Sequence, residues 1–181
     1  MPEREFALFP QSNFSEGTLV DYRHFDARNV TPRYEFGFGL SYTTFNYSKL
    51  AITSSSSKDT TLNTGDFPTG PVAEGGQTDL WDVLVTVSTD ITNTGDLGGS
   101  EVAQLYVGIP GAAAVRQLRG FEKVFLNTTE TKTVEFELTR RDLSTWDVVA
   151  QKWRLAKGES GVGIWVGASS RDLRLEGRVV L

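Results

Sequence analysis

A chain of 181 residues, 39% hydrophobic and 11% aromatic, has the size of one domain with an appendage and the composition of a folded protein. Its net charge of −5 argues against nucleic acid or an anionic membrane as partner, since both need a basic face. The lack of cysteine excludes disulfides and thiolate metal sites, a single histidine excludes chemistry needing two imidazoles, and no apolar run reaches the ~18 residues of a membrane span.

Residues 1–49 read as an extended arm dominated by aromatic side chains. The arm opens Met1-Pro2-Glu3-Arg4-Glu5-Phe6, which has neither the basic start nor the apolar core of a signal peptide. Asp21-Tyr22-Arg23-His24-Phe25-Asp26 sets two carboxylates beside the single histidine, a possible acid–base cluster. No Gly-x-Ser-x-Gly motif and no cysteine accompanies it. The reading preferred is an extended segment with a local ion pair and aromatic packing. Gly37-Phe38-Gly39 looks superficially like a phosphate-binding loop, but no strand precedes it and no helix N-terminus follows. Packing explains it better. Tyr34, Phe36, Phe38, Tyr42, Phe45 and Tyr47 place six aromatics in fourteen residues, and the two glycines would let the backbone lie close against another surface.

From 54 to 79 the chain turns polar and rich in serine, glycine and proline, which predicts a flexible insertion. Beyond it, period-two alternation predicts a series of strands. In Asp82–Asn93, Val83, Val85, Val87 and Ile91 share one face, with Leu84 as the exception. In Glu101–Ile109, Ala103, Leu105, Val107 and Ile109 do the same. Gln117–Leu126 follows, then Thr133–Leu138 with Val134, Phe136 and Leu138 inward. Val149–Leu155, Val162–Ala168 and Leu173–Val180 close the series, and Tyr47–Ile52 supplies a first strand. About seven or eight short strands with frequent turn signals predict an all-β, antiparallel two-sheet sandwich of immunoglobulin or fibronectin type III shape over 50–181.

Four of the six asparagines, Asn13, Asn29, Asn46 and Asn127, stand in glycosylation acceptor triplets, a pattern expected of a secreted glycoprotein. Acidic residues such as Glu135, Glu137 and Asp142 fall on solvent faces or turns, which does not suit the facing carboxyl pair of a glycosidase. Of the four tryptophans, Trp81 would open a strand, Trp146 would sit in a turn, and Trp153 and Trp165 would lie within strands. Flat indoles on a sandwich can hold polysaccharide, although packing is their commoner use.

Two long stretches carry a more specific resemblance. The run from Glu16 to Asp26, with Thr31-Pro32-Arg33-Tyr34-Glu35-Phe36-Gly37-Phe38-Gly39-Leu40-Ser41-Tyr42-Thr43-Thr44-Phe45, is similar to the C-terminal part of fungal β-glucosidases of glycoside hydrolase family 3. Asn93-Thr94-Gly95, Glu101–Val107, Gln117–Lys123 and Trp146–Trp153 look like the fibronectin type III-like domain of that family, in the same order. The resemblance implies that the catalytic aspartate and glutamate belong to a barrel and an α/β domain upstream. No position here matches either motif, so no catalytic, cofactor-binding or metal-binding residue is carried over. Residues 12–26 would be the last piece of the α/β domain and 27–49 a linker, while the first ten or so residues depart from the pattern, as in a chain with a displaced start. The implied role is a non-catalytic module of an extracellular, cellulose-degrading enzyme, with that enzyme's catalytic domains as partner. Tyr34, Phe36, Phe38, Tyr42, Phe45 and Tyr47 would then be interdomain packing. A carbohydrate-binding or protein-interaction module is the alternative.

Overall fold

Alternation along the central strands is what divides this chain into two sheets. The structure, a computed structural model, describes residues 13–55 and 62–181; the chain's opening hexapeptide and the second half of the serine run lie outside the described residues. A three-stranded sheet has the order β1 (Phe45–Ser54), β4 (Val83–Asn93), β7 (Thr131–Thr139). A four-stranded sheet has the order β11 (Leu173–Val179), β10 (Val162–Gly167), β5 (Gly99–Gly108), β6 (Gln117–Leu126). All pairings are antiparallel. Two hairpins stand outside the sheets: β2 (Val72–Ala73) with β3 (Gly76–Gln77), and β8 (Ser144–Asp147) with β9 (Lys152–Leu155). The two-sheet antiparallel sandwich expected from the sequence is the fold observed.

The inward residues of β4, β5, β7 and β10, among them Val87, Ile91, Leu105, Leu138 and Ile164, form one continuous apolar core. Leu84 breaks the alternation of β4 because the ladder to β7 shifts register between Val83 and Val85. A bulge there turns the adjacent Leu84 and Val85 both inward, and both are buried. A second irregularity divides β1 between Ser48 and Ala51, with Lys49 at φ 55°. The buried Thr89 hydroxyl donates to the Ser48 carbonyl there, at 2.7 Å.

Several local expectations change. Asp21–Asp26 is not extended: Tyr22–Ala27 is a short helix, α1, whose four-residue spacing puts Tyr22 and Asp26 on one face. Six residues are too few to display a helical period in the sequence. Trp81 ends a 3-10 helix, Thr78–Trp81, and Trp146 lies within β8. Tyr47 is 6% exposed and belongs to the sandwich core, with Phe45 packed against it, because both point inward from β1.

The segment predicted to be a flexible insertion carries hydrogen-bonded structure from Leu62 onward. Arg140, 0% exposed, donates to the carbonyls of Asn63 and Gly65. Asp79 accepts from the Thr69 amide at 2.7 Å and the Asn63 side chain at 2.9 Å. Burial alone would raise the Asp79 pKa, but these hydrogen bonds and the Arg140 charge outweigh it and hold the carboxyl below its usual value.

Candidate functional site: the arm-covered face of the four-stranded sheet

The arm lies across the outer face of the four-stranded sheet and makes β5 a strand buried on both sides. Gln104 and Tyr106 point away from the core yet are buried, because arm residues cover them. Tyr22 meets the Tyr106 ring edge-on at 6.1 Å and stacks on Phe36 at 4.5 Å. The Tyr106 hydroxyl donates to Gln104 Oε1 at 2.7 Å, and burial pushes its pKa up. Gln104 Nε2 in turn donates to the carbonyls of Gly37 and Ala168. Gly37 has φ 79°, and a Cβ there would collide with the Gln104 amide. Gly39 has open space at that position, so only the first glycine serves a close approach, and the surface approached is the chain's own sheet.

Polar groups of the β10–β11 turn fasten the arm. Asp26 pairs with Arg171 at 3.1 Å and with Arg116 at 3.9 Å. Arg171 Nη2 also donates to the Val30 carbonyl at 2.7 Å. The Ser169 hydroxyl donates to Glu35 at 3.0 Å, and the Ser170 amide to the Phe36 carbonyl at 2.9 Å. The Leu118 amide donates to the Tyr22 hydroxyl at 2.9 Å. At the arm's end, the Thr43 hydroxyl donates to Asn93, itself fully buried. The acid–base cluster is therefore not assembled: Asp26 is committed to distant arginines, not to Arg23, and His24 is exposed. Gln104 and the Ser169-Ser170-Arg171 turn escape sequence reasoning. The signal available was a glutamine set in an apolar strand.

The arm's other face is open. Tyr42 is 98% exposed and Tyr34 65%, and Phe36, Phe38 and Leu40 are exposed as well. Phe36, Phe38 and Leu40 form, with Val102, Leu118 and Phe121 of the sheet, an apolar groove of about 440 Å³. Tyr47 belongs to the core behind the sheet. Its hydroxyl donates to Glu101 at 2.9 Å, and burial and that carboxylate raise its pKa.

Asn13, Asn29, Asn46 and Asn127 are all exposed, and Asn127 Nδ2 donates to Glu130. Trp165 is packed flat, since a Cβ on Gly108 or Gly163 would strike its ring. Arg141 covers one face of the Trp153 ring at 3.3 Å from the centroid, and both strand tryptophans, Trp153 and Trp165, are half-buried. Among the described residues, no group of three or more His, Cys, Asp or Glu could hold a metal ion, and no helix is long and apolar enough to cross a membrane.

Residues 101–170 match the Fn3-like family, the fibronectin type III-like domain. The chain contains a fibronectin type III-like domain. Over all 181 residues it is 55% identical to the probable β-glucosidase M of Aspergillus flavus, spanning 23% of that protein. Over 92% of its length it is 56% identical to the probable β-glucosidase D of Aspergillus niger, spanning 21%. The crystal structure of the β-D-glucoside glucohydrolase from Trichoderma reesei is similar with a TM-score of 0.85 and 46% identity, over 93% of this chain and 23% of that one. A glycoside hydrolase family 3 β-glucosidase from Neurospora crassa gives 0.77 and 33%, over 94% and 28%. The domain and its arm thus resemble the C-terminal part of fungal family 3 β-glucosidases, and span less than a quarter of the curated relatives named. The match to β-glucosidase M takes in the whole chain, so the first ten residues, expected to depart from the pattern, align with it too.

Proposed function

We propose that this chain is a non-catalytic module of a secreted fungal family 3 β-glucosidase, an enzyme removing terminal β-D-glucosyl residues during cellulose degradation, and that the module stabilises the catalytic domains. The observation that carries this reading is the apolar groove between arm and sheet, continued outward by Leu40 and Tyr42. An exposed apolar patch of this kind marks a contact surface. In a protein like β-glucosidase M, more than three-quarters of the chain lies outside the matched region and is there to supply the cover. Tyr34, Phe36, Phe38 and Tyr42 take the interdomain role, while Phe45 and Tyr47 serve the sandwich. No residue here is given a catalytic part. The four exposed acceptor asparagines support a secreted glycoprotein.

The test is a graft. This chain replaces the matching region of the Aspergillus flavus β-glucosidase M, with and without Phe38→Ser, Leu40→Ser and Tyr42→Ser. The triple variant should lower the melting temperature of the grafted enzyme by several degrees and leave the isolated chain unchanged. No loss in the grafted enzyme, or an equal loss in both, overturns the reading. The isolated chain should leave an aryl β-glucoside intact under conditions where the graft hydrolyses it.

A further inference from the structure

Three guanidinium groups meet where α1, β6 and the β8–β9 hairpin come together. Arg23 comes from α1, Arg119 from β6, and Arg141 from the turn after β7. With Thr18, Gln117 and Trp146 they line a hollow of about 570 Å³, inside the ~300–1,000 Å³ range of small-ligand clefts. Local geometry aims two of them. Leu105 pairs with Gly120 and Tyr106 with Leu118, so Arg119 is the extra residue of a bulge, a device that redirects a side chain. Arg141 is held flat on Trp153, and Trp153 meets Trp146 edge-on at 5.3 Å, leaving Trp146 44% exposed.

The cluster lacks its counter-charge. Arg116, Arg154, Arg171 and Arg174 all make ion pairs, but among the described residues Arg23, Arg119 and Arg141 make none. The buried Nε of Arg119 has no hydrogen-bond partner. Burial lowers the pKa of Arg119 and of Arg141, and a neighbouring guanidinium acts in the same direction on each. Asp142 offers partial relief, but its Oδ2 already accepts from the amide and hydroxyl of Thr139. Like charges gathered in a partly dry hollow cost free energy that a bound anion would remove.

We propose that this hollow binds a uronic acid residue, its carboxylate on the arginines and its ring against Trp146. Guanidinium groups grip carboxylates through paired, charge-assisted hydrogen bonds. An indole offers a flat apolar surface to the C–H face of a sugar. Thr18, Gln117 and Thr145, which also line the hollow, match sugar hydroxyls. An acidic peptide would satisfy the arginines but leave the indole and these three polar groups without counterparts. The proposal does not depend on the module reading, because it concerns the chain by itself.

Calorimetric titration of the full chain with D-glucuronate, at constant ionic strength, tests it. Saturable binding is expected, with no binding of D-glucose or acetate. Arg141→Gln and Trp146→Ala should each weaken it at least tenfold. Arg23→Gln, which leaves β6 and the hairpin untouched, should weaken it severalfold, and so covers the case where Arg141→Gln lowers the melting temperature. No saturable binding overturns the proposal, as does equal binding of glucose or unchanged affinity in the folded variants. Acetate or an Asp/Glu hexapeptide binding as tightly as glucuronate would make this a carboxylate or peptide site and overturn the sugar assignment.

Discussion

The arm and the segment from Leu62 to Trp81 are both excursions from the sandwich, and one arginine is central to holding each. Arg140 is wholly enclosed, and the segment around it turns Leu80 and Asp79 inward. Arg171 keeps 27% of its side chain exposed, and the arm it grips leaves many large apolar side chains, among them Tyr34, Phe38, Leu40 and Tyr42, facing water. The loop segment closes around Arg140, leaving only Val72 and Trp81 as large apolar side chains in water. The arm is bound firmly on one face and left unfinished on the other. Polar fastening and apolar burial are thus separate functions of a segment, and the arm has the first with only part of the second.

The largest effect expected is at the enclosed arginine. Arg140→Leu strands two backbone carbonyls, and should cost about 3–5 kcal/mol in urea unfolding, about 1–3 for each orphaned acceptor plus the lost guanidinium charge beside Asp79; a loss no larger than that of Arg171→Leu would make the two fastenings equivalent. Arg171→Leu should cost about 1.5–3 kcal/mol, the range for a hydrogen bond to a charged group. Its signature should be local, with faster proteolysis and amide exchange between 27 and 37 while β4 and β5 stay protected. The two segments should also part in acid. Because the Asp79 carboxyl is held below its unfolded value, its contribution is present above about pH 4 and is lost as pH falls through the lower, folded value. Asp79→Asn should flatten that acid limb of the stability curve. The smallest effect belongs to the open face: Tyr42→Ser should change the isolated chain by less than about 0.5 kcal/mol.

Strands facing one core were legible in the sequence, as Val134, Phe136 and Leu138 against Glu135 and Glu137 illustrate. Departures came wherever a third body entered. Gln104 and Tyr106 occupy positions that alternation assigns to water, and only the arm's return over the sheet accounts for their burial. Leu84 read as an irregularity because a bulge cannot be seen without the partner strand. Arg140 and Arg141, side by side in Thr139-Arg140-Arg141-Asp142, look like ordinary surface charge. One is sealed under a loop and the other lies on an indole. The aromatic crowding of 34–47 was visible, but not its division into core, stack and open surface. That division depends on where β1 begins.

The interruption of β1 at Lys49 also bears on the outer border of the three-stranded sheet. Among the described residues β1 is laddered to a strand on one side only; on the other side β11 lies close, and its Arg174 donates to the Phe45 carbonyl. The positive φ of Lys49 breaks the even row of donors and acceptors, and puts an exposed ammonium, paired with Asp90, at the break. Asn46, exposed on the same strand, lies between the inward-facing Phe45 and Tyr47 and so faces away from the core. The kink that admits the Thr89 hydroxyl therefore also interrupts the regular hydrogen-bonding row of the sheet's outermost strand.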